Sequence, residues 1–336
     1  MHRDNHYRIP KLMCNQQIKP LPSICLDLKN KFHHISWDNI TFKLLLRPRY
    51  LKSFLLSSLF IFLMSVFICC SQYTPANAFR TEVLPNEIKA GDAFIVKITS
   101  ETTSHNPIAY ISNKRLHFSS CGETCFIAIG AVTTETKPGN YTINIKVGHE
   151  KRNLTLVVNP AHFPTLNLTL PEDKVFLSSE NLKRVKKEEK LLRSLFQRVT
   201  EKLWDGSFIL PLENDFSTAF GAKRILNQKR ISIHRGLDIT GKMGEEVKAA
   251  NHGRIVFSEE LFFGGKTVII DHGQGIYTIY MHLSKFNVQQ NAIIKKGDII
   301  GFVGATGRAT GPHLHFGVKV LNTNTNPVSF VKLDLP

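Results

Sequence analysis

The side chains of this sequence that could do chemistry together fall in two short stretches. His234-Arg235-Gly236-Leu237-Asp238 sets an imidazole and a carboxylate four residues apart, and His313-Leu314-His315 sets two imidazoles two residues apart. In an extended strand a spacing of two puts both rings on one face and turns Leu314 to the other. Zinc that does chemistry takes three protein ligands from His and carboxylate and keeps a fourth position for water. Two ligands from one stretch and one from the other supply that count, which is the pattern of a hydrolytic metal site.

The elements that must position these residues are strands. From Phe208 onward turns and strands alternate closely: Gly253 to Phe257, Gly264 to Gly273, Ile276 to His282, Gly297 to Gly304 and Pro312 to Val320. Helical periodicity is nearly absent, so residues 206–336 read as an all-β domain with glycine-rich corners. Gly304, Gly307 and Gly311 are expected to allow the tight turns that bring the His-x-His strand against the other ligands. A lone His on a strand is ordinarily a satisfied side chain, and His252 and His272 are read that way. His282, in Tyr280-Met281-His282-Leu283, joins the constellation.

With these motifs in place the sequence resembles the lysostaphin-type, or LytM-domain, zinc metallopeptidases of peptidoglycan. The resemblance runs from about Phe216 to Phe330 and rests on four stretches. They are Phe216-Ser217-Thr218-Ala219-Phe220-Gly221, His234 to Ile239, Tyr280-Met281-His282-Leu283-Ser284 and Thr306 to Phe316. It implies that His234, Asp238 and His315 ligate one zinc ion, with His282 and His313 as catalytic residues flanking a zinc-bound water that acts as nucleophile. An imidazole of ordinary pKa, ~6.5, would take a proton from that water and return it to the leaving amine. Some members add a tyrosine shortly upstream of the first ligand; Asn227 to Ile233 holds none, which leaves that role unassigned. Arg308 and Lys266 are candidates to meet a substrate carboxylate, or are surface charge.

Upstream, residues 79–160 alternate and are punctuated like an immunoglobulin-like β-sandwich. Strand-like runs at Ala93–Ile98, Cys125–Ile129, Tyr141–Val147 and Leu154–Val158 are separated by Pro, Gly and Asn turns. This module carries no acid/base cluster and reads as structural or wall-binding. Residues 161–205 follow as linker and helix: 161–174 lack a clear period, and Ser178 to Trp204 carries apolar residues at spacings of three and four. Ser179 is placed as its cap, and a basic face at Lys183, Arg184, Lys186, Lys187 and Lys190 opposes the apolar stripe. The helix is expected to be a strut on the catalytic domain, and it or the β-domain to cover part of the groove. The fold class expected is therefore mainly β: sandwich, helical connector, LytM-type domain.

Net charge is +16, of which residues 1–52 hold +7 (ten Lys and Arg against three Asp and Glu) and residues 79–336 the remaining +9. Such a balance suits an anionic partner, although a merely solvated basic surface explains it equally. Residues 53–78 carry no charge, and the apolar run Ser53 to Cys70 follows Arg47, Arg49 and Lys52 and precedes Ala76-Asn77-Ala78. That order is the one of a secretory signal, with cleavage after Ala78 favoured; an uncleaved anchor is the rival and would hold the protein at the inner membrane through residues 53–70. Residues 1–52 are either a misassigned start or a cytoplasmic tail. Cys121 and Cys125 are the two cysteines of the exported part, and an oxidising compartment favours a short-loop disulfide.

The function expected is a zinc endopeptidase, exported to the periplasm or cell envelope, that cuts peptidoglycan cross-links. The bond favoured is D-alanyl–diaminopimelate if the source is Gram-negative. The alternative is a non-catalytic LytM-type regulator of a wall amidase, against which stands the presence of all five site positions. A lipoyl or biotinyl carrier would leave the histidines unexplained. Nucleic acid is not an expected partner, because Lys and Arg are not interleaved with aromatics.

Overall fold

The computed structural model describes residues 79–100, 105–170 and 172–336, so the leader (1–52) and the apolar run (53–78) lie outside the described residues. Alternation of apolar and polar residues builds two sheets from the first 80 of these. One contains Phe79–Leu84, Ala93–Ser100, Cys125–Ala131 and Ser119–Gly122. The other orders Glu87–Lys89, Glu150–Asn159, Gly139–Val147, Ile108–Ile111 and Lys114–Leu116. In the Gly139–Val147 strand Ile143 and Ile145 point inward while Asn144 and Lys146 stay exposed, the pattern of a sheet wetted on one side. Phe94, Val96 and Ile98 meet them across the sandwich. Cys121 and Cys125 form a disulfide.

The Ala93–Ser100 strand does not alternate, for a physical reason. Its Phe94, Val96 and Ile98 enter the sandwich core, but Ala93 and Ile95 enter a second core together with Ile127 and Ile129 of the neighbouring strand. That second core also holds Trp204, Phe208, Leu314, Phe316 and Phe330 from the C-terminal elements. A sheet buried on both faces needs apolar residues at successive positions, and Ala-Phe-Ile-Val supplies them. The sandwich is thereby joined to the later β-elements through a shared apolar layer.

The C-terminal part is organised by one long antiparallel sheet. Its order is Phe216–Thr218, Leu237–Thr240, His313–Val320, Ile276–Leu283, Gly265–Gly273, Gly253–Leu261 and Ile293–Ile294, with Thr323–Thr325 added beside His313–Val320. A second small sheet joins Glu246–Lys248, Ile299–Phe302 and Lys285–Phe286. The expected mainly-β class holds, and among the described residues no helix is long and apolar enough to cross a membrane.

Two expectations for residues 161–205 are corrected. Thr165–Leu168 is a strand, parallel to Lys223–Leu226, which in turn pairs with Arg230–Ile233. Its Thr-Leu-Asn-Leu alternation is a strand signal that flanking prolines obscured. The helix runs Ser179–Phe196 and stops eight residues before Trp204, with Ser178 rather than Ser179 as its cap, accepting from the Asn181 N–H at 3.1 Å. Beyond it, the amides of Leu203 and Trp204 both donate to the His272 carbonyl, and Gln274 donates to Thr200. Hydrogen bonds to the end of the Gly265–Gly273 strand, and burial of Trp204, override the helical period. Leu195 and Phe196 pack on Phe257, Ile269 and Tyr277, so the helix is a strut on the sheet.

His272 is fully buried and satisfied. Its Nδ1 donates to the His252 carbonyl at 2.7 Å, and its Nε2 meets Thr278 Oγ1 at 2.6 Å, itself 2.9 Å from the Tyr280 hydroxyl. Burial pushes its pKa down to about 4. Because the unfolded ring titrates near ~6.5, this group's stabilisation is full above that pH and is lost as pH falls towards the folded value, at about 1.4 kcal/mol per pH unit. In urea unfolding this group is expected to account for about 2 kcal/mol of the stability lost between pH 7 and pH 5, and His272→Gln should make the slope shallower by that amount whatever it does to stability at pH 7.

Candidate metal centre

Strand register builds the centre. Leu237–Thr240 pairs antiparallel with His313–Val320 so that Asp238 lies opposite His315 and Thr240 opposite His313. Opposed residues of paired strands share a face, which sets Asp238, His313 and His315 on one side and leaves Leu314 and Ile239 fully buried on the other. His234 enters from the connection before Leu237, where its N–H donates to the Ala222 carbonyl and its carbonyl accepts from Gly221.

Three ligand-type atoms converge. His234 Nε2 is 2.9 Å from Asp238 Oδ1 and 3.0 Å from His315 Nδ1, and His315 Nδ1 is 2.8 Å from Asp238 Oδ1. A tetrahedral ion with bonds of 2.0–2.1 Å spaces its ligands by about 3.4 Å, so a small opening of this triangle would seat zinc. The tautomers agree. His234 Nδ1 lies 2.9 Å from the Ala219 carbonyl, which can only accept, so the proton sits on Nδ1 and the Nε2 lone pair faces the centre. The donor set therefore fits a divalent metal. Burial alone would raise the Asp238 carboxyl, but when the ring nitrogens facing it carry protons in place of a metal, hydrogen bonds from His234 and His315, and their charges, hold it well below the usual carboxylate range.

His282 and His313 flank this triangle, with ring centroids 4.9 Å apart. His313 Nε2 is 3.8 Å from Asp238 Oδ1, and its Nδ1 is held by the Gly311 carbonyl at 2.9 Å. His282 Nδ1 is held by the Thr306 carbonyl at 2.8 Å. Both rings thus carry their proton away from the centre and present a bare Nε2. Regular alternation would have turned His282 to the same side as the buried Tyr280. Instead the pairing of Gly265–Gly273 with Ile276–Leu283 shifts register between Lys266 and Val268, and His282 adopts φ 65°. A bulge that re-aims a side chain is a familiar device beside functional sites, and a left-handed non-glycine residue costs on the order of 1 kcal/mol. Burial, then the charges of His315 and His313, push the His282 pKa down to about 3, so the ordinary value expected from sequence does not apply to it.

The supporting loops are close-packed. At Gly307 (φ 73°) a Cβ would lie 2.3 Å from the Gly265 amide nitrogen, so only glycine lets this turn carry Thr306 up to His282. At Gly311 a Cβ would meet nothing within 4 Å and φ is not positive, so the expected need for glycine there is not met.

Two residues that sequence reasoning treated lightly or missed shape the surroundings. Arg224 Nη2 binds Asp238 Oδ2 at 2.5 Å, leaving Oδ1 to the two imidazoles. Its only sequence signal was its place in a hairpin, Lys223–Leu226 with Arg230–Ile233, turned by Asn227 and Gln228 at positive φ. Arg308 lines both cavities that open on the centre, of about 320 and 560 Å³, whereas Lys266 lines neither and donates its Nζ to the Ser284 carbonyl. Glu188, Glu189 and Leu192 of the helix wall the larger cavity, and Leu168 and Leu170 the smaller; the sandwich lines neither.

Known proteins resemble the domain that holds this centre. Residues 232–327 match the model of peptidase family M23. The chain thus contains a peptidase family M23 domain of the LytM type. It is 41% identical over 97 residues to the DD-carboxypeptidase/endopeptidase Mpg of Neisseria meningitidis, covering 29% of this chain and 22% of that protein. It is 37% identical over 107 residues to the peptidoglycan DD-endopeptidase ShyB of Vibrio cholerae, covering 32% of this chain and 24% of that protein. The matches therefore span less than a quarter of these curated relatives. A crystal structure from Pseudomonas aeruginosa assigned to peptidase M23 aligns with a TM-score of 0.58 at 26% identity, over 72% of this chain and 94% of that one. That share exceeds residues 232–327, so the likeness of fold reaches the upstream elements.

Gly236 provides a test of the centre. A Cβ there would lie 2.5 Å from His315 Nε2 and 2.6 Å from the Phe316 carbonyl oxygen. Gly236→Ala should displace His315 and lower zinc affinity by about 10- to 100-fold, read by competition with a chromogenic chelator.

Proposed function

We propose that this protein is a zinc endopeptidase that hydrolyses the peptide cross-links of cell-wall peptidoglycan. The observation that carries the reading is the convergence of His234 Nε2, Asp238 Oδ1 and His315 Nδ1 within 2.8–3.0 Å of one another, beside two further imidazoles. The names of the relatives that match this domain, peptidoglycan DD-endopeptidases among them, point to the substrate. Export is part of the reading, and the Cys121–Cys125 disulfide supports it, since such bonds persist in oxidising compartments.

His234, Asp238 and His315 would hold the ion, which when bound supplies Lewis acidity toward water and the scissile carbonyl. The chain's own residues do the rest. His282, kept neutral by burial, offers its bare Nε2 as acceptor for the proton of the attacking water. His313, its Nδ1 held by the Gly311 carbonyl, turns Nε2 to the same space, placed to serve the charge developing on the carbonyl oxygen or the leaving amine. Arg224 holds Asp238 Oδ2 and so fixes which oxygen faces the ion.

Digestion of purified sacculi, with muropeptides separated afterwards, tests the reading. Cross-linked dimers should disappear with zinc and persist with chelator. His315→Ala should lose both zinc and activity. His282→Ala and His313→Ala should keep the metal while kcat falls by about 100- to 10,000-fold. A zinc-loaded protein that leaves every dimer intact would overturn it and favour a non-catalytic partner of another wall enzyme.

A further inference from the structure

The groove beside the metal centre is strongly basic, and its charges are unequally satisfied. Arg224, Arg230, Arg235 and Arg308 all line the larger cavity, against Glu188 and Glu189. Glu188 is already engaged, by the Phe262 amide at 3.0 Å and Arg184 at 2.8 Å. Asp238 is taken by Arg224 and the two imidazoles. Arg230 donates to the Val175 carbonyl at 3.0 Å. Among the described residues Arg230 and Arg235 lack a carboxylate partner too, but of the two cavities on the centre they line only the larger, whereas Arg308 lines both. Its guanidinium carbon lies 4.1 Å over the Phe263 ring, and among the described residues no carboxylate pairs with it.

Its position explains what that unpaired charge is for. Arg308 and His282 both line the smaller cavity with Asp238 and His313, and both line the larger one with His234 and His315. A ligand on this guanidinium therefore sits beside the reacting groups. Stacking on Phe263 fixes the plane of the fork, and a fixed planar fork binds a carboxylate through two parallel hydrogen bonds. The backbone is fixed as well, because the Arg308 N–H donates to the Phe263 carbonyl at 2.9 Å. Burial, then the charges of Arg224 and Arg230, disfavour the protonated form of Arg308, a penalty that an arriving anion would remove. Arg224 lines both cavities with it, and its Nε is buried without a hydrogen-bond partner.

We propose that Arg308, backed by Arg224, is a specificity-determining residue that takes a free carboxylate carried by the peptide next to the bond to be cut. The inference rests on the endopeptidase reading and deepens it: substrates would be peptides with an ionised carboxyl flanking the scissile amide, and amidated peptides would be poor ones.

The test compares two forms of one cross-linked muropeptide dimer, with carboxyls free and with the same carboxyls amidated, on the zinc-loaded full chain. Wild type should prefer the free form by about 10- to 100-fold in kcat/KM, mostly through KM. Arg308→Gln should bring that ratio close to one, and Arg308→Lys should restore part of it. Lys266→Gln, which removes a nearby charge outside both cavities, should leave the ratio unchanged. A wild-type ratio near one, a ratio that survives Arg308→Gln, or one that Lys266→Gln also abolishes would overturn the proposal. If neither form is cut, calorimetric binding of the same pair separates the two questions. Tighter binding of the free form that Arg308→Gln removes would uphold the subsite and retire hydrolysis, and equal binding would overturn the subsite as well.

Discussion

A buried carboxylate flanked by two imidazoles is the constraint on which this structure turns. Asp238 is largely withdrawn from water, and an ionised group in such a place is tolerable only when every lone pair has a partner. Arg224 takes Oδ2, and Oδ1 faces His234 and His315, which would share it with a bound ion or, with protons on the facing nitrogens, hydrogen-bond it directly. That arrangement requires the hairpin holding Arg224 and the connection holding His234, which follow one another in the chain, to meet the strand holding His315, 81 residues beyond His234. A one-residue slip between Leu237–Thr240 and His313–Val320 would send Asp238 and the histidines to opposite faces. Leu314 and Ile239, packed in the core, resist that slip, so the hydrophobic pattern and the polar site enforce the same register.

The rest of the domain serves that register and departs from regularity where the chemistry needs it. The bulge at Met281 and His282 breaks a ladder and places a histidine in a left-handed conformation. The Thr306 turn, made possible by Gly307, then locks the ring with one hydrogen bond. Local rules are broken here and obeyed nearly everywhere else in the sheet, as expected where structure is bent toward function. The helix and the Thr165–Leu168 strand complete the groove by walling its two cavities. The sandwich contributes at a distance, by burying the back of the long sheet's core through Ala93, Ile95, Ile127 and Ile129.

Much of this was legible in the sequence, and the legible parts share a cause. The mainly-β class follows from period-two alternation and glycine- and proline-marked turns, which are local. His313 and His315 share a face because any strand has that period. The family likeness was carried by short motifs in which His234, Asp238, His282, His313 and His315 all stand. The parts misread were those where tertiary contacts outweigh local preference. Residues 197–204 keep a helical pattern, but hydrogen bonds to the end of the Gly265–Gly273 strand and the core space for Trp204 draw them out of the helix. Thr165–Leu168 has too few residues to announce a strand without its partner Lys223–Leu226.

Sequence by itself determined the residue types and their spacing, and hence the class of fold and the chemistry of the donor set. Tertiary structure alone decided which carboxylate oxygen faces the centre, which ring nitrogens are bare, that His282 is held neutral, and that Arg224 and Arg308 stand beside it. The physical reason is that spacing along a chain fixes only what neighbours can do. Protonation, desolvation and charge pairing depend on groups brought close by folding from tens of residues away, and on how much water is left between them.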